Sequence, residues 1–198
     1  IILAGGKGTR MLSQKAKVLQ ALGGKTMLNH VLTTANKISN KISVVVGFDK
    51  EGVEEEIKKI GINANTYLQK EQIGTADAVK TTLKDIDKNE KILILYGDVP
   101  LIKEETLKKL CNQESDLSIL TTNLENPTGY GRALKDKENN VLGIIEEKDA
   151  DLEQKKIKEI FTGILVTKGD LLKNFIPEIE NNNSAKEFYL TDLIGIAH

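Results

Sequence analysis

Three glycines among the first eight residues, Gly5, Gly6 and Gly8, follow the apolar run Ile1-Ile2-Leu3-Ala4 and lead through Lys7 to Arg10. A turn without Cβ atoms lets backbone amides approach a ligand closely, and phosphate oxygens are the acceptors that suit such amides. Two commoner glycine loops are excluded by spacing. A P-loop needs G-x-x-x-x-G-K-[ST], and a dinucleotide fingerprint needs G-x-G-x-x-G, whose last glycine would fall where Met11 stands. Of 28 basic residues only Arg10 and Arg132 are arginine, and both lie in glycine-rich turns, Gly8-Thr9-Arg10 and Gly129-Tyr130-Gly131-Arg132. A planar, bidentate fork in a lysine-rich chain suits a phosphate or a carboxylate. Asp98 is the first choice for a metal ligand. It follows Gly97 at the end of the apolar run Ile92-Leu93-Ile94-Leu95-Tyr96, where a carboxylate can reach a Mg²⁺ held by phosphates. The wording Asp98-Val99-Pro100-Leu101 also permits a turn or cap aspartate, but its place directly after the strand favours the ligand.

These residues need a scaffold, and 198 residues supply one domain or a closely joined pair of lobes. A net charge of -1 gives no general attraction for nucleic acid or an anionic membrane, so an anion must be bound locally. Apolar runs are too short for a membrane span and no signal region is present, which predicts a cytoplasmic protein. Ile1 begins inside a strand pattern without an initiator methionine, so the chain reads as trimmed at its N-terminus. The single Cys111 reads as a core filler after a helix, and two histidines are too few for a zinc site. His30 reads as a helix residue. Asn182-Asn183-Ser184 matches a glycosylation acceptor that is meaningless in the cytoplasm.

Periodicity predicts a βαβ rhythm over the first half. Ile42–Val46 reads as a buried strand, and Met27, Val31, Ala35 and Ile38 as a helical stripe behind a Thr26 cap. Val53–Ile60 reads as a helix closed by Gly61, Ile62–Leu68 as a short strand, Ala76–Leu83 as a helix and Ile92–Tyr96 as a strand. Ligands collect at the carboxyl ends of such strands. Beyond a helix at Ile102–Cys111 come a strand at Leu117–Thr121 and a hairpin of Gly129–Lys135 with Val141–Glu146. A strand at Ile160–Thr167, a helix at Asp170–Ile176 and an amphipathic helix at Phe188–Ala197 complete the pattern. The expected partition is a nucleotide-binding lobe at 1–99, a smaller lobe on a mixed sheet at 100–187, and a returning helix at 188–198.

The segments Leu3-Ala4-Gly5-Gly6-Lys7-Gly8-Thr9-Arg10-Met11, Lys17-Val18-Leu19, Gln69 to Ala76, Tyr96 to Leu101, Pro127 to Arg132, Glu146 to Ala150 and Glu187 to Asp192 occur in order. In them the chain resembles the sugar-phosphate nucleotidylyltransferases, most closely the uridylyltransferase domains of bacterial bifunctional enzymes that make UDP-N-acetylglucosamine for peptidoglycan. The resemblance runs almost end to end. It implies an α/β fold, a Rossmann-like, mostly parallel mixed sheet flanked by helices of the GT-A-like nucleotidyltransferase type, with a smaller sugar-binding lobe. It implies that Leu3, Ala4, Gly5, Gly6, Gln69 and Gln72 surround uridine, that Gly74 and Thr75 read the pyrimidine, and that Arg10 and Lys17 hold the triphosphate. Asp98 would hold Mg²⁺. Tyr96, Gly97, Gly131, Glu146, Glu187, Tyr189 and Thr191 would lie along N-acetylglucosamine 1-phosphate. The implied reaction is in-line attack of the sugar phosphate on the α-phosphorus of UTP.

Three departures accompany the resemblance. Ala16 stands where proline is usual before the lysine, and Phe161 where an asparagine usually contacts the sugar. The third concerns the C-terminus: the asparagine implied as a second metal ligand, and the left-handed β-helix acetyltransferase domain with its homotrimer, would follow His198. Two alternatives stay open: a relative acting on another sugar phosphate or base, and a module that binds UTP or UDP-sugar without turnover.

Overall fold

A computed structural model describes residues 1–8 and 13–197. Its strands and helices, in chain order, are β1 (Ile2–Leu3), β2 (Ala21–Leu22), β3 (Lys25–Thr26), α1 (Met27–Asn36), β4 (Ser43–Val46), α2 (Lys50–Ile60), β5 (Asn65–Leu68), α3 (Thr75–Lys80), β6 (Lys91–Tyr96), α4 (Glu104–Cys111), β7 (Leu117–Asn123), β8 (Arg132–Lys135), β9 (Val141–Ile145), β10 (Glu159–Lys168), α5 (Gly169–Phe175) and α6 (Asp192–Ile196). Apart from the small β2-β3 hairpin they build one sheet, ordered β5-β4-β1-β6-β10-β8-β9, with β7 also on β10. The sheet is parallel from β5 to β6 and antiparallel wherever β10 and the β8-β9 hairpin pair. It continues without a break across residue 99, because Leu165–Lys168 of β10 pairs with Lys91–Ile94 of β6.

The central strands β1, β4 and β6 read as near-continuous apolar runs because both faces of the sheet are covered there. Alternate residues go to opposite sides. Ile2, Ala4, Val44, Val46, Leu95, Ile164 and Val166 pack with residues of α1, α2 and α4; Leu3, Val45, Ile94 and Leu165 pack with residues of α3, α5 and α6. Thr26 caps α1 by accepting from the Asn29 amide at 3.0 Å. The buried stripe is Leu28, Val31, Leu32 and Ala35, the i, i+3, i+4, i+7 set, and the helix ends two residues before Ile38. Gly61 closes α2 at φ 75 as its position suggested. His30 lies on α1, where Nε2 meets the Leu22 carbonyl oxygen at 2.8 Å. Cys111 is half-buried at the end of α4 and packs against the first core.

The last helix is shorter than its amphipathic pattern predicts. Residues 188–190 are engaged elsewhere: the Phe188 carbonyl accepts from Ala76 N at 2.9 Å, Phe188 N donates to Ile73 O at 2.8 Å, and Leu190 N donates to Thr75 Oγ1 at 2.9 Å. A helix from Phe188 would need the Phe188 carbonyl to accept from Asp192 N, but that amide donates to Tyr189 O at 3.2 Å, so α6 starts at Asp192. No helix among the described residues is long and apolar enough to cross a membrane.

Candidate active site

The glycine turn leaves β1 at the carboxyl edge of the parallel strands, held by neighbours on both sides. Ala4 N donates to Val45 O at 2.8 Å, Gly97 N donates to Leu3 O at 2.9 Å, and Phe48 N donates to Gly5 O at 3.0 Å. Gly8 takes φ +64, and a Cβ there would lie 2.6 Å from Lys17 Cβ. Only glycine lets the lysine stem pass so close in that conformation. Lys17 opens a 3-10 turn over Lys17–Leu19 and reaches across the cleft, where Nζ donates to Asp98 Oδ2 at 2.6 Å. Arg10 lies outside the described residues.

A cleft of about 320 Å³ brings together Leu3, Ala4, Gly5, Gly6, Lys17, Gln69, Gln72, Gly74, Thr75, Tyr96, Asp98 and Glu187, with Gly8, Val18 and Ala78 in its wall. Gln69 is almost fully buried; its Nε2 donates to Gly74 O and to Asp77 Oδ2, both at 2.9 Å. Gln72 Nε2 donates to Gln69 O at 3.1 Å. The two glutamines therefore brace the turn leading into α3. Asp77 was not singled out from the sequence, where it reads as an ordinary first-turn acid of a helix. Gly74 has φ +141, and a Cβ on it would lie 2.3 to 2.7 Å from the Phe188 backbone.

Gly97 is buried under Leu3 O and Val18, so it packs the strand end that presents Asp98. Burial raises the pKa of Tyr96 above the ordinary phenol range, opposed by a hydrogen bond with Thr75. The Tyr96 ring lies over Gly163, whose added Cβ would meet it at 2.8 Å.

The remaining residues assigned to the sugar phosphate, Gly131, Glu146, Tyr189 and Thr191, do not line this cleft. Glu146 and Tyr189 line a separate hollow of about 450 Å³ together with Asp149 and Asp192. Thr191 Oγ1 donates to Glu146 Oε1 at 3.1 Å, and Gly131 packs against Ile144 and the Glu146 carboxylate. Burial raises the Glu146 pKa, the Thr191 hydroxyl opposing it and the neighbouring Asp192, Asp149 and Glu187 adding to it. Burial and the same acids, Asp149 first, push Tyr189 up to about 12. Phe161 is buried in the second core and its amide donates to Gly131 O at 2.9 Å. A roomier hollow of about 760 Å³ between α4 and β7 gathers no comparable set of charged groups.

Arg132 does something other than bind phosphate. Its guanidinium is buried and is spent on Glu147 Oε2 at 2.5 Å and on the Tyr130 carbonyl. The Arg132 hydrogen bond holds the Glu147 carboxyl below the usual range. Sequence showed a fork in a glycine turn; the partner turned out to be a carboxylate fifteen residues on.

The chain is similar to the bifunctional protein GlmU of Psychrobacter cryohalolentis, 44% identical over 201 residues that cover 100% of this chain and 44% of that protein. It is 47% identical over 200 residues to the bifunctional protein GlmU of Francisella tularensis subsp. novicida, covering 100% of this chain and 43% of the relative. It thus spans less than half the length of these relatives. Among solved structures, UDP-glucose pyrophosphorylase complexed with UDP-glucose superposes with a TM-score of 0.81 at 16% identity, over 99% of this chain and 84% of that one. A putative glucose-1-phosphate thymidylyltransferase from Bacillus anthracis in complex with a sucrose gives 0.75 at 20%, over 97% and 79%. At such identities the likeness is one of fold, and that fold is the α/β nucleotidyltransferase type. The MobA-like NTP transferase domain model matches residues 1–151, and the chain belongs to that family.

Proposed function

We propose that this domain transfers uridylyl from UTP to N-acetylglucosamine 1-phosphate, releasing pyrophosphate and UDP-N-acetylglucosamine. The observation that carries the reading is the cleft in which the glycine turn, Lys17 and Asp98 converge beside Gln69, Gln72 and Thr75. The similarity to the GlmU proteins over the whole chain supports the choice of base and sugar.

In this reading the amides of Leu3 to Gly6 and the turn at Gln72–Thr75 hold the nucleoside. A phosphate oxygen of the sugar phosphate forms a bond to the α-phosphorus of UTP, and the bond to the pyrophosphate oxygen breaks. The nucleophile is already an anion, so no general base is needed, and positioning with charge neutralisation supplies the acceleration. Lys17 is the described cation placed to meet the phosphates, and Arg10 is assigned the same task. Glu146, Glu187, Tyr189 and Thr191 orient the sugar.

Mg²⁺ is the proposed cofactor. Asp98 is partly exposed at the cleft mouth, and no cluster of three candidate donors exists among the described residues. One carboxylate with phosphate oxygens and water is a donor set that Mg²⁺ accepts. Bound there, the ion would neutralise phosphate charge as a Lewis acid. Asp98 would be its protein ligand, exchanging Lys17 for the metal.

Phe161 favours a second reading, a different sugar phosphate, because an apolar ring in the core cannot replace an asparagine amide facing a sugar. Pyrophosphate release from UTP, measured with N-acetylglucosamine 1-phosphate, glucose 1-phosphate and other nucleotides in the presence of Mg²⁺, tests both. Preference for UTP and the N-acetyl sugar is the expected result. Turnover with another pair only would overturn it.

A further inference from the structure

We propose that Asp49 is a positioning residue for Lys17, acting through a hydrogen bond to the backbone immediately before it. An aspartate at a helix start ordinarily accepts from the amides of its own first turn. Asp49, at the start of α2, makes no such bond. Its Oδ2 instead accepts from Ala16 N at 3.0 Å, 33 residues away in sequence. Asp49 holds a left-handed backbone, φ 55 and ψ 43, which a non-glycine residue adopts at a cost. At position 52 an added Cβ would lie 2.5 Å from Asp49 Oδ1, so only glycine leaves the carboxylate its place over the helix.

Three residue choices thus converge on one contact: a free N–H at Ala16, a strained aspartate, and a missing side chain at Gly52. Ala16 is completely buried and lies next to Lys17, whose ammonium meets Asp98 at 2.6 Å. Ala16 has φ -52 and ψ 142, and a proline ring would fix that φ covalently at the position where the sequence resemblance leads one to expect proline. The Asp49 carboxylate supplies by a hydrogen bond the restraint that a ring would supply, so that the loop presents Lys17 to the cleft in one direction. The proposal rests on the role given to Lys17 above.

The test uses the full chain and two readouts: amide exchange at Ala16 followed by NMR, and steady-state pyrophosphate release from UTP and N-acetylglucosamine 1-phosphate. Asp49→Gly relieves the backbone and removes the acceptor; Gly52→Ala favours the helix and displaces the acceptor. Both are expected to expose the Ala16 amide to exchange and to lower kcat by about tenfold or more with a smaller change in KM, while the thermal midpoint moves by only a few degrees. Asp49→Asn keeps an acceptor and should behave like wild type. In an Ala16→Pro background, Asp49→Gly should recover turnover to within about threefold of wild type. Unchanged Ala16 protection in Asp49→Gly, or no recovery in the proline background, overturns the proposal, the first even without any turnover measurement. If Lys17→Ala keeps full turnover while Asp49→Gly exposes Ala16, the catalytic reading fails and the anchor stands. If Lys17→Ala is inactive and Asp49→Gly is as fast as wild type, the positioning role fails alone.

Discussion

Neutralising Lys17 should separate catalysis from stability. Its ammonium lies 2.6 Å from Asp98 Oδ2, but the two side chains keep 37% and 27% of their exposure. A pair so open to water contributes about 0 to 1 kcal/mol to folding. For a domain of this size that is a change in Tm of roughly 2 to 4 °C at most. The same charge facing phosphates in a cleft closed over by substrate acts with far less screening. Removing a preorganised donor of this kind costs about 2.7 to 4 kcal/mol of transition-state stabilisation, a factor of roughly 10² to 10³ in turnover. Lys17→Met is the cleanest change, because it keeps an apolar stem against Gly8 and discards only the charge. Pyrophosphate release at saturating UTP and sugar phosphate, beside thermal and urea unfolding, reads both quantities on one preparation. Turnover within tenfold of wild type would refute the role of Lys17; a loss of more than about 10 °C would show that the pair holds the fold together.

Other outcomes follow from single contacts. Gly8→Ala places a Cβ 2.6 Å from Lys17 Cβ at φ +64, so turnover should fall by about 10² while stability falls by about 1 to 2 kcal/mol; wild-type kinetics would contradict this. Gly74→Ala meets the Phe188 backbone rather than a movable side-chain tip, and urea unfolding should show a loss of about 2 kcal/mol or more; an unchanged midpoint would argue against the close approach. Glu146→Gln tests burial. The folded-state pKa of Glu146 is raised, so the stability belonging to its protonated form is present below the ordinary carboxylate range and is lost as pH rises through the folded value. The glutamine variant lacks that loss and should gain on wild type in denaturant titrations as pH rises above the ordinary carboxylate range. A pH-independent difference between the two would sink the assignment.

Much of the scaffold was legible because it depends on local pattern. Thr26 before an apolar-periodic run and Gly61 after a charged one mark helix ends through backbone chemistry that needs no distant partner. The apolar runs of β1, β4 and β6 announce strands covered on both faces. Gly97-Asp98 was readable as the end of β6, and the fold puts Asp98 in the wall of the cleft. The final helix was misjudged in length for the opposite reason: its amphipathic pattern begins at Phe188, but the amides and carbonyls there belong to the turn at Gly74–Ala76.

Sequence by itself determined the glycine turn, the lysine after it, the strand-end aspartate and the family, since each is carried by residue type and short-range spacing. Only the tertiary structure decided which charges meet. It paired Lys17 with Asp98 across 81 positions, gave Arg132 to Glu147, and set Asp49 beneath Ala16. An ionic or hydrogen-bonding side chain accepts any partner of suitable charge within about 3 Å, and the one that arrives is chosen by how the strands are ordered and packed, which no local pattern records.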